Sequence, residues 1–207
     1  MKLSTICTIA LSSALLFSSC KKDTAKPEAN TNTKTDESAK EVLTANAVTY
    51  EASGSFSFTN VTNSITNSYT HQYVKINYKD QSQLWPDTYY TYLTFYNSNS
   101  QAAAEMLTFV LLGKDLPKTG TYKTGPLPIA VDGIKAADKL SSDEIAIMAV
   151  SNSMVSKRNA ATTIKVLNEN GKITITTSDE INVYDNLMGD LKGKCKSISL
   201  VRNPKKV

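Results

Sequence analysis

The pair Asn170-Gly171 does most to restrict what this chain can fold into. It lies between Thr162-Thr163-Ile164-Lys165-Val166-Leu167 and Ile173-Thr174-Ile175-Thr176-Thr177. Both flanks alternate apolar and polar residues with the period of a half-buried strand. Asn-Gly is the preferred pair for a type I′ turn, where both central residues take positive φ. A two-residue turn sets the register, placing Val166 opposite Ile175 and Ile164 opposite Thr177. Ile164, Val166, Ile173 and Ile175 then share one face, expected to point inward, with Lys165 and Thr176 on the other.

The same period recurs along the chain. Phe56 and Phe58 alternate with Ser55, Ser57 and Thr59. Tyr69, His71 and Tyr73 alternate, and Val74, Ile76 and Tyr78 continue in the opposite phase. That switch predicts a bulge or a crossing between sheets near Tyr73-Val74. Residues 89–96, Tyr-Tyr-Thr-Tyr-Leu-Thr-Phe-Tyr, are strongly strand-prone. Pro86 places Leu84-Trp85-Pro86-Asp87 in a connection. Residues 102–112 fit either a helical face or a buried strand, and strand is preferred for 105–112. Leu116 to Tyr122 reads as a turn entering a short strand. Ile145 to Val150 is apolar on both parities, as a central strand would be. Ile181-Val183 and Ile198-Leu200 predict two more strands, joined by a loop from Asp185 to Lys194. About nine short strands result. The expected fold is all-β, an antiparallel β-sandwich of immunoglobulin-like or jelly-roll type, with a partly open β-barrel as the alternative.

Ahead of these strands lies an address. Met1-Lys2 is a short basic start, and Leu3 to Phe17 carries no charge. This is the layout of a secretory signal, and the run is shorter than the roughly 20 residues a membrane-spanning helix needs. Ser18 and Ser19 precede Cys20, and Lys21-Lys22-Asp23 follows. The stretch resembles a bacterial lipobox, with Phe17 where Leu is usual and Ser19 where Gly or Ala is usual. It looks like the relaxed box of Bacteroidota-type Gram-negative lipoproteins. The resemblance implies signal cleavage after residue 19 and acylation of Cys20. It also implies an outer-membrane address, facing the periplasm or the cell surface. Two or three acyl chains would hold the protein there, since one chain binds only marginally. The Thr-Gly-Thr-Tyr turn and the late Asn-Gly hairpin also resemble small all-β lipoproteins of unknown function in Bacteroidota.

Residues 21–47 hold five lysines and five acids with almost no large apolar group. Such a segment cannot offset its ordering entropy. It reads as a tether with an r.m.s. span of roughly 30 Å. The expected organisation is therefore a signal peptide over 1–19, a lipidated cysteine and tether over 20–47, and a single domain over 48–207. From residue 48 onward the chain has 17 basic and 14 acidic residues. That surplus is too small to suggest nucleic acid as a partner. Once Cys7 leaves with the signal and Cys20 is acylated, Cys195 has no partner for an intrachain disulfide.

Little here points to catalysis. His71 is the only histidine. With Cys195 it could form a nucleophile–base dyad, and Lys194 and Lys196 flank the thiol, but no local motif supports this. One histidine and one thiol do not make a typical zinc site. Asp185, Asn186 and Asp190 could offer oxygens to calcium, though such residues also build turns. Asp143-Glu144 and Asp179-Glu180 are adjacent pairs whose side chains would point to opposite faces of a strand. Aromatic density stands out more. Seven of the ten tyrosines lie between 69 and 96, around the sole Trp85. Trp85, Tyr89, Tyr90 and Tyr92 are the candidate ligand residues, as a platform for sugar rings. Against this, aromatics also pair across strands for purely structural reasons. The expectation is a lipid-anchored, non-enzymatic envelope module, without a cofactor or metal, binding a glycan or an envelope protein. A structural or accessory subunit of an outer-membrane complex is the alternative.

Overall fold

A computed structural model describes residues 46–97, 106–128, 138–149, 153–185, 188–197 and 199–207. All of them belong to one compact unit, Glu37–Val207. Cys20, the signal segment and most of the tether lie outside the described residues, as do Val42, Leu43 and 98–105. The strands are β1 (Val48–Ser53), β2 (Ser55–Asn60), β3 (Thr66–Thr70), β4 (Tyr73–Asp80), β5 (Tyr89–Tyr96), β6 (Leu107–Leu112) and β7 (Gly120–Thr124). They continue with β8 (Glu144–Ala149), β9 (Met154–Ser156), β10 (Asn159–Glu169), β11 (Lys172–Thr177), β12 (Ile181–Asp185), β13 (Leu191–Ser197) and β14 (Leu200–Lys206). Among the described residues there is no helix.

The β10–β11 hairpin forms as its sequence dictates. Asn170 and Gly171 have φ of 50° and 81°, and Val166 faces Ile175 while Ile164 faces Thr177. Ile164, Val166, Ile173 and Ile175 are all buried. The phase switch near Tyr73 marks the break between two strands of one sheet, not a crossing between sheets: β3 ends at Thr70 and pairs with β2, and β4 begins at Tyr73 and pairs with β1 and β5.

All fourteen strands belong to one hydrogen-bonded sheet. Nine of them close into a ring, in the order β8–β6–β5–β4–β1–β14–β11–β10–β7 and back to β8. The closing contact is parallel, with Lys123 opposite Glu144 and Thr124 opposite Ile145. Every other junction of the ring is antiparallel. The far half of the same β8 edge pairs instead with β9, through Met148–Val155 and Ala149–Met154. From that fork β9, β12, β13, β2 and β3 continue outside the ring. The expected pair of separate sheets is thus not what forms, and the barrel alternative fits. Closure removes edges that two open sheets would leave exposed.

One large apolar core joins the ring to the outer strands: Val74, Ile76, Leu93, Phe95, Phe109, Ile145 and Ile147 meet Phe56, Phe58, Ile181, Val183 and Cys195. A second cluster lies on the opposite parity of β5, β6 and β8, where Tyr90, Tyr92, Val110, Ala146 and Met148 pack with Leu140 and Val155. This second layer explains why β8 is apolar on both parities, with all six residues buried.

One expectation about the C-terminal third needs correction. The stretch from Asp185 to Lys194 is not all loop, because β13 begins at Leu191. Its inward residues are Gly193, Cys195 and Ser197, too small to give an apolar alternation. The basic end, with Arg202, Lys205 and Lys206, is strand β14. Arg202 within it is 1% exposed, its guanidinium 3.9 Å from the centre of the Tyr50 ring and hydrogen-bonded to the Gly171 carbonyl. Pro204 lies beyond the last β11 partner, Arg202, where a missing N–H removes no ladder bond to that strand.

Candidate functional site

The predicted aromatic platform does not form. Tyr90 and Tyr92 are 0% and 3% exposed and belong to the second apolar cluster. Trp85 is half-buried and packs edge-on against Tyr90, ring centres 6.2 Å apart. Tyr89 lies on the other parity of β5, edge-on to Tyr78 at 6.0 Å, with the Lys114 ammonium 3.5 Å above its ring. The four residues therefore share no exposed face. Of the seven tyrosines here Tyr90, Tyr92 and Tyr96 are buried and the other four half-buried, and rings meet across strands, Tyr73 with Tyr96 at 5.7 Å.

What the same strands build instead is a groove of about 290 Å³ on the outer face of β4, β5, β6 and β8. Two ladder rows make it. In one row Lys75 faces Thr94, Thr94 faces Thr108, and Thr108 faces Met148. In the next, Asn77 faces Tyr92, Tyr92 faces Val110, and Val110 faces Ala146. Side chains two residues apart share a face, so Lys75, Asn77 and Lys79 form a polar wall along β4 while Val74 and Ile76 turn into the core. Thr94 and Thr108 are short and bond to each other through their hydroxyls at 3.0 Å. The floor is low there, and Met148 rises on the far side. The Lys79 ammonium stands 4.9 Å from the Tyr92 ring centre, a cation–π contact.

Burial, reinforced by the neighbouring Tyr90, pushes the Tyr92 phenol up to about 12. It stays protonated and adds no negative charge to the groove. Among the described residues no carboxylate lines the groove. Its chemistry is cationic and hydroxyl-rich over an apolar base.

The other candidate residues are structural. Cys195 is buried between Phe58 on β2 and Ile181 on β12, its register partners. Burial pushes its thiol up to about 12, so it is no nucleophile near neutral pH. Lys194 and Lys196 alternate to the other face, and Lys194 pairs with Glu180 at 3.4 Å. They give the thiol no positive neighbour. His71 is 3% exposed, stacked on Phe56 at 5.1 Å with its ring edge-on to Phe95 at 6.2 Å. Asp143 and Glu144 point to opposite faces as expected. Asp143 is exposed and pairs with Lys123 at 2.9 Å, whereas Glu144 is buried and takes the Arg158 guanidinium at 2.6 Å. Asp185 shapes a turn, its carboxylate accepting the Met188 N–H at 2.8 Å, and Asp190 pairs with Lys192 at 3.7 Å. Asn186 lies outside the described residues. Among the described residues no three His, Cys, Asp or Glu side chains come together.

Lys75, Asn77, Lys79, Thr94 and Thr108 were missed by sequence reasoning, which weighed the aromatic residues of 69–96 and not the polar positions between them. The signal was the pairing of 73–80 with 89–96, both strongly strand-like. That pairing sets a row of polar residues beside a large ring flanked by threonines. Comparison with protein-family models, curated proteins and solved structures gives no match to this chain.

Proposed function

We propose that the protein is a lipid-anchored, non-enzymatic binding module of the cell envelope, held at the outer membrane by acylated Cys20. Its ligand is a glycan. The observation that carries this reading is the groove over β4, β5 and β6: concave, lined by Asn77, Thr94, Thr108 and two lysines, and floored by the Tyr92 ring. Hydroxyl and amide groups around a ring-sized hollow are what a sugar needs for its many hydroxyls. Burial of the thiol Cys195 and of His71 supports a binding role over a cysteine enzyme.

A second reading, an accessory subunit of an envelope complex, draws on a different feature. Among the described residues strand β3 pairs only with β2, and its Thr66-Asn67-Ser68-Tyr69-Thr70 edge carries no charge or proline to block another strand. Ile65 beside it is 54% exposed.

The test uses the full chain made in a lipoprotein-competent host and purified in detergent. Metabolic labelling with a fatty acid should mark the wild type and not Cys20→Ala. A panel of oligosaccharides should then yield at least one ligand. Absence of acyl label would remove the anchor, and a blank panel would remove the glycan and leave the β3 edge as the surface to pursue.

A further inference from the structure

The groove's charge narrows the ligand further, an inference that rests on the glycan reading above. We propose that the groove takes an acidic glycan, a chain of carboxylated or sulfated sugars, with Lys75 and Lys79 meeting successive negative groups and Asn77 contacting the sugar between them.

Three observations converge on this. First, Lys75, Asn77 and Lys79 occupy alternate positions of β4, so both ammonium groups serve one wall of the same hollow. Second, among the described residues that hollow is lined by no acid, and neither lysine is in an ion pair. Elsewhere on the molecule Lys123, Lys194 and Lys205 each have a carboxylate within reach. The nearby Asp80 is on the other parity of β4, with its carboxylate accepting the Ser82 N–H at 2.8 Å. Third, the spacing selects among anions. Four residues of strand separate the two lysines by roughly 13 Å. That is the backbone spacing, and a polymer with charges at intervals can meet both ammonium groups with the side chains upright, whereas a single ion would need both to bend toward each other.

A nucleic acid fits less well. Single strands bind largely by stacking bases on exposed rings, and Tyr92, the ring in the groove, is 3% exposed. A sugar needs only the edge of such a floor, with hydrogen bonds from the rim.

The lipidated full chain in detergent is titrated calorimetrically with an oligouronate, a sulfated oligosaccharide, a neutral oligosaccharide of equal length, and an oligothymidylate. The acidic sugars should bind about tenfold or more tightly than the neutral one, and raising salt should weaken them. Lys75→Gln with Lys79→Gln should lose about tenfold or more for the acidic sugars, and Asn77→Ala should weaken all sugars. Lys165→Gln with Lys172→Gln, on β10 and β11, should change nothing. The four lysines are at least partly exposed, so these variants should melt as the wild type does. A neutral sugar bound as tightly as the acidic ones, or full affinity in the Lys75/Lys79 variant, would overturn the acidic-glycan assignment and leave the glycan reading intact. Binding of oligothymidylate as tight as the acidic sugars would overturn it as well, by showing charge attraction without sugar recognition. Failure of every sugar to bind would overturn both.

Discussion

Arg202 shows how far a single residue can depart from its sequence context. It lies in a basic tail, yet its side chain is among the largest fully buried ones. Its guanidinium covers the Tyr50 ring and bonds the carbonyl of the Gly171 turn, so it ties β14 to β1 and to the β10–β11 hairpin. Removing such a group leaves a cavity and strips the carbonyl of its donor. Arg202→Ala should lose about 2–4 kcal/mol in denaturant unfolding; a loss under about 0.5 kcal/mol would mean the residue merely lies there. Glu144 makes a pH-dependent contribution. The hydrogen bond from Arg158 holds its carboxyl below the usual range against the opposing effect of burial, aided by the Ser141 N–H. Its folded pKa is thus depressed, so the stabilisation is present above the unfolded value of about 4.3 and is lost as pH falls through the folded value. Melting temperatures of the wild type and Glu144→Gln should differ at pH 7, wild type higher, and converge as the pH drops below 4. A gap that stays constant with pH would assign the effect to packing.

At the level of elements, what could be read in the sequence was apolar alternation, and what could not was any strand whose inward side chains are small or charged. β2, β5, β8 and the β10–β11 hairpin announce themselves because Phe56, Phe58, Leu93, Phe95, Ile145 and the four isoleucines and valines of the hairpin face one core. β13 was hidden because Gly193, Cys195 and Ser197 face inward. Gly193 must be small: a Cβ there would overlap the Phe58 ring and approach the Thr59 carbonyl to 2.8 Å. Gly193→Ala should therefore cost roughly 2–4 kcal/mol, more than Gly171→Ala. The latter meets left-handed backbone at φ 81° and should cost about 1–2 kcal/mol. Equal, small losses at both sites in chemical denaturation would contradict the packing of β13 on β2. The part of β14 beyond Leu200 was hidden because Arg202 holds an inward position and Pro204 looks like a break. The groove was hidden for another reason: it exists only once four strands are aligned in two particular rows. Sequence reading saw the aromatic side of those rows and not the lysine, asparagine and threonine side. Tyr90 and Tyr92, read as a ligand platform, turned out to brace the second apolar layer.

For the whole molecule, closure is the organising event. A short parallel contact between β7 and β8 closes the row of nine strands into a ring, and β8 serves both the ring and the outer strands. Among the described residues this leaves β3 as a strand with one neighbour in the sheet. The ring's outer face at β4 to β8 is free to carry a groove because its inner face already supplies the core. On the proposed reading, an acylated Cys20 and a flexible tether would present that groove to the envelope. The account's central claim is that Lys75 and Lys79 are occupied there. Lysine-acetylation footprinting tests it directly, by comparing the protein in isolated envelopes of the producing cells with the same protein purified in detergent. The account predicts that Lys75 and Lys79 react more slowly in the envelope while Lys165 and Lys172 react alike in both. Equal reactivity of Lys75 and Lys79 in the two preparations would contradict it.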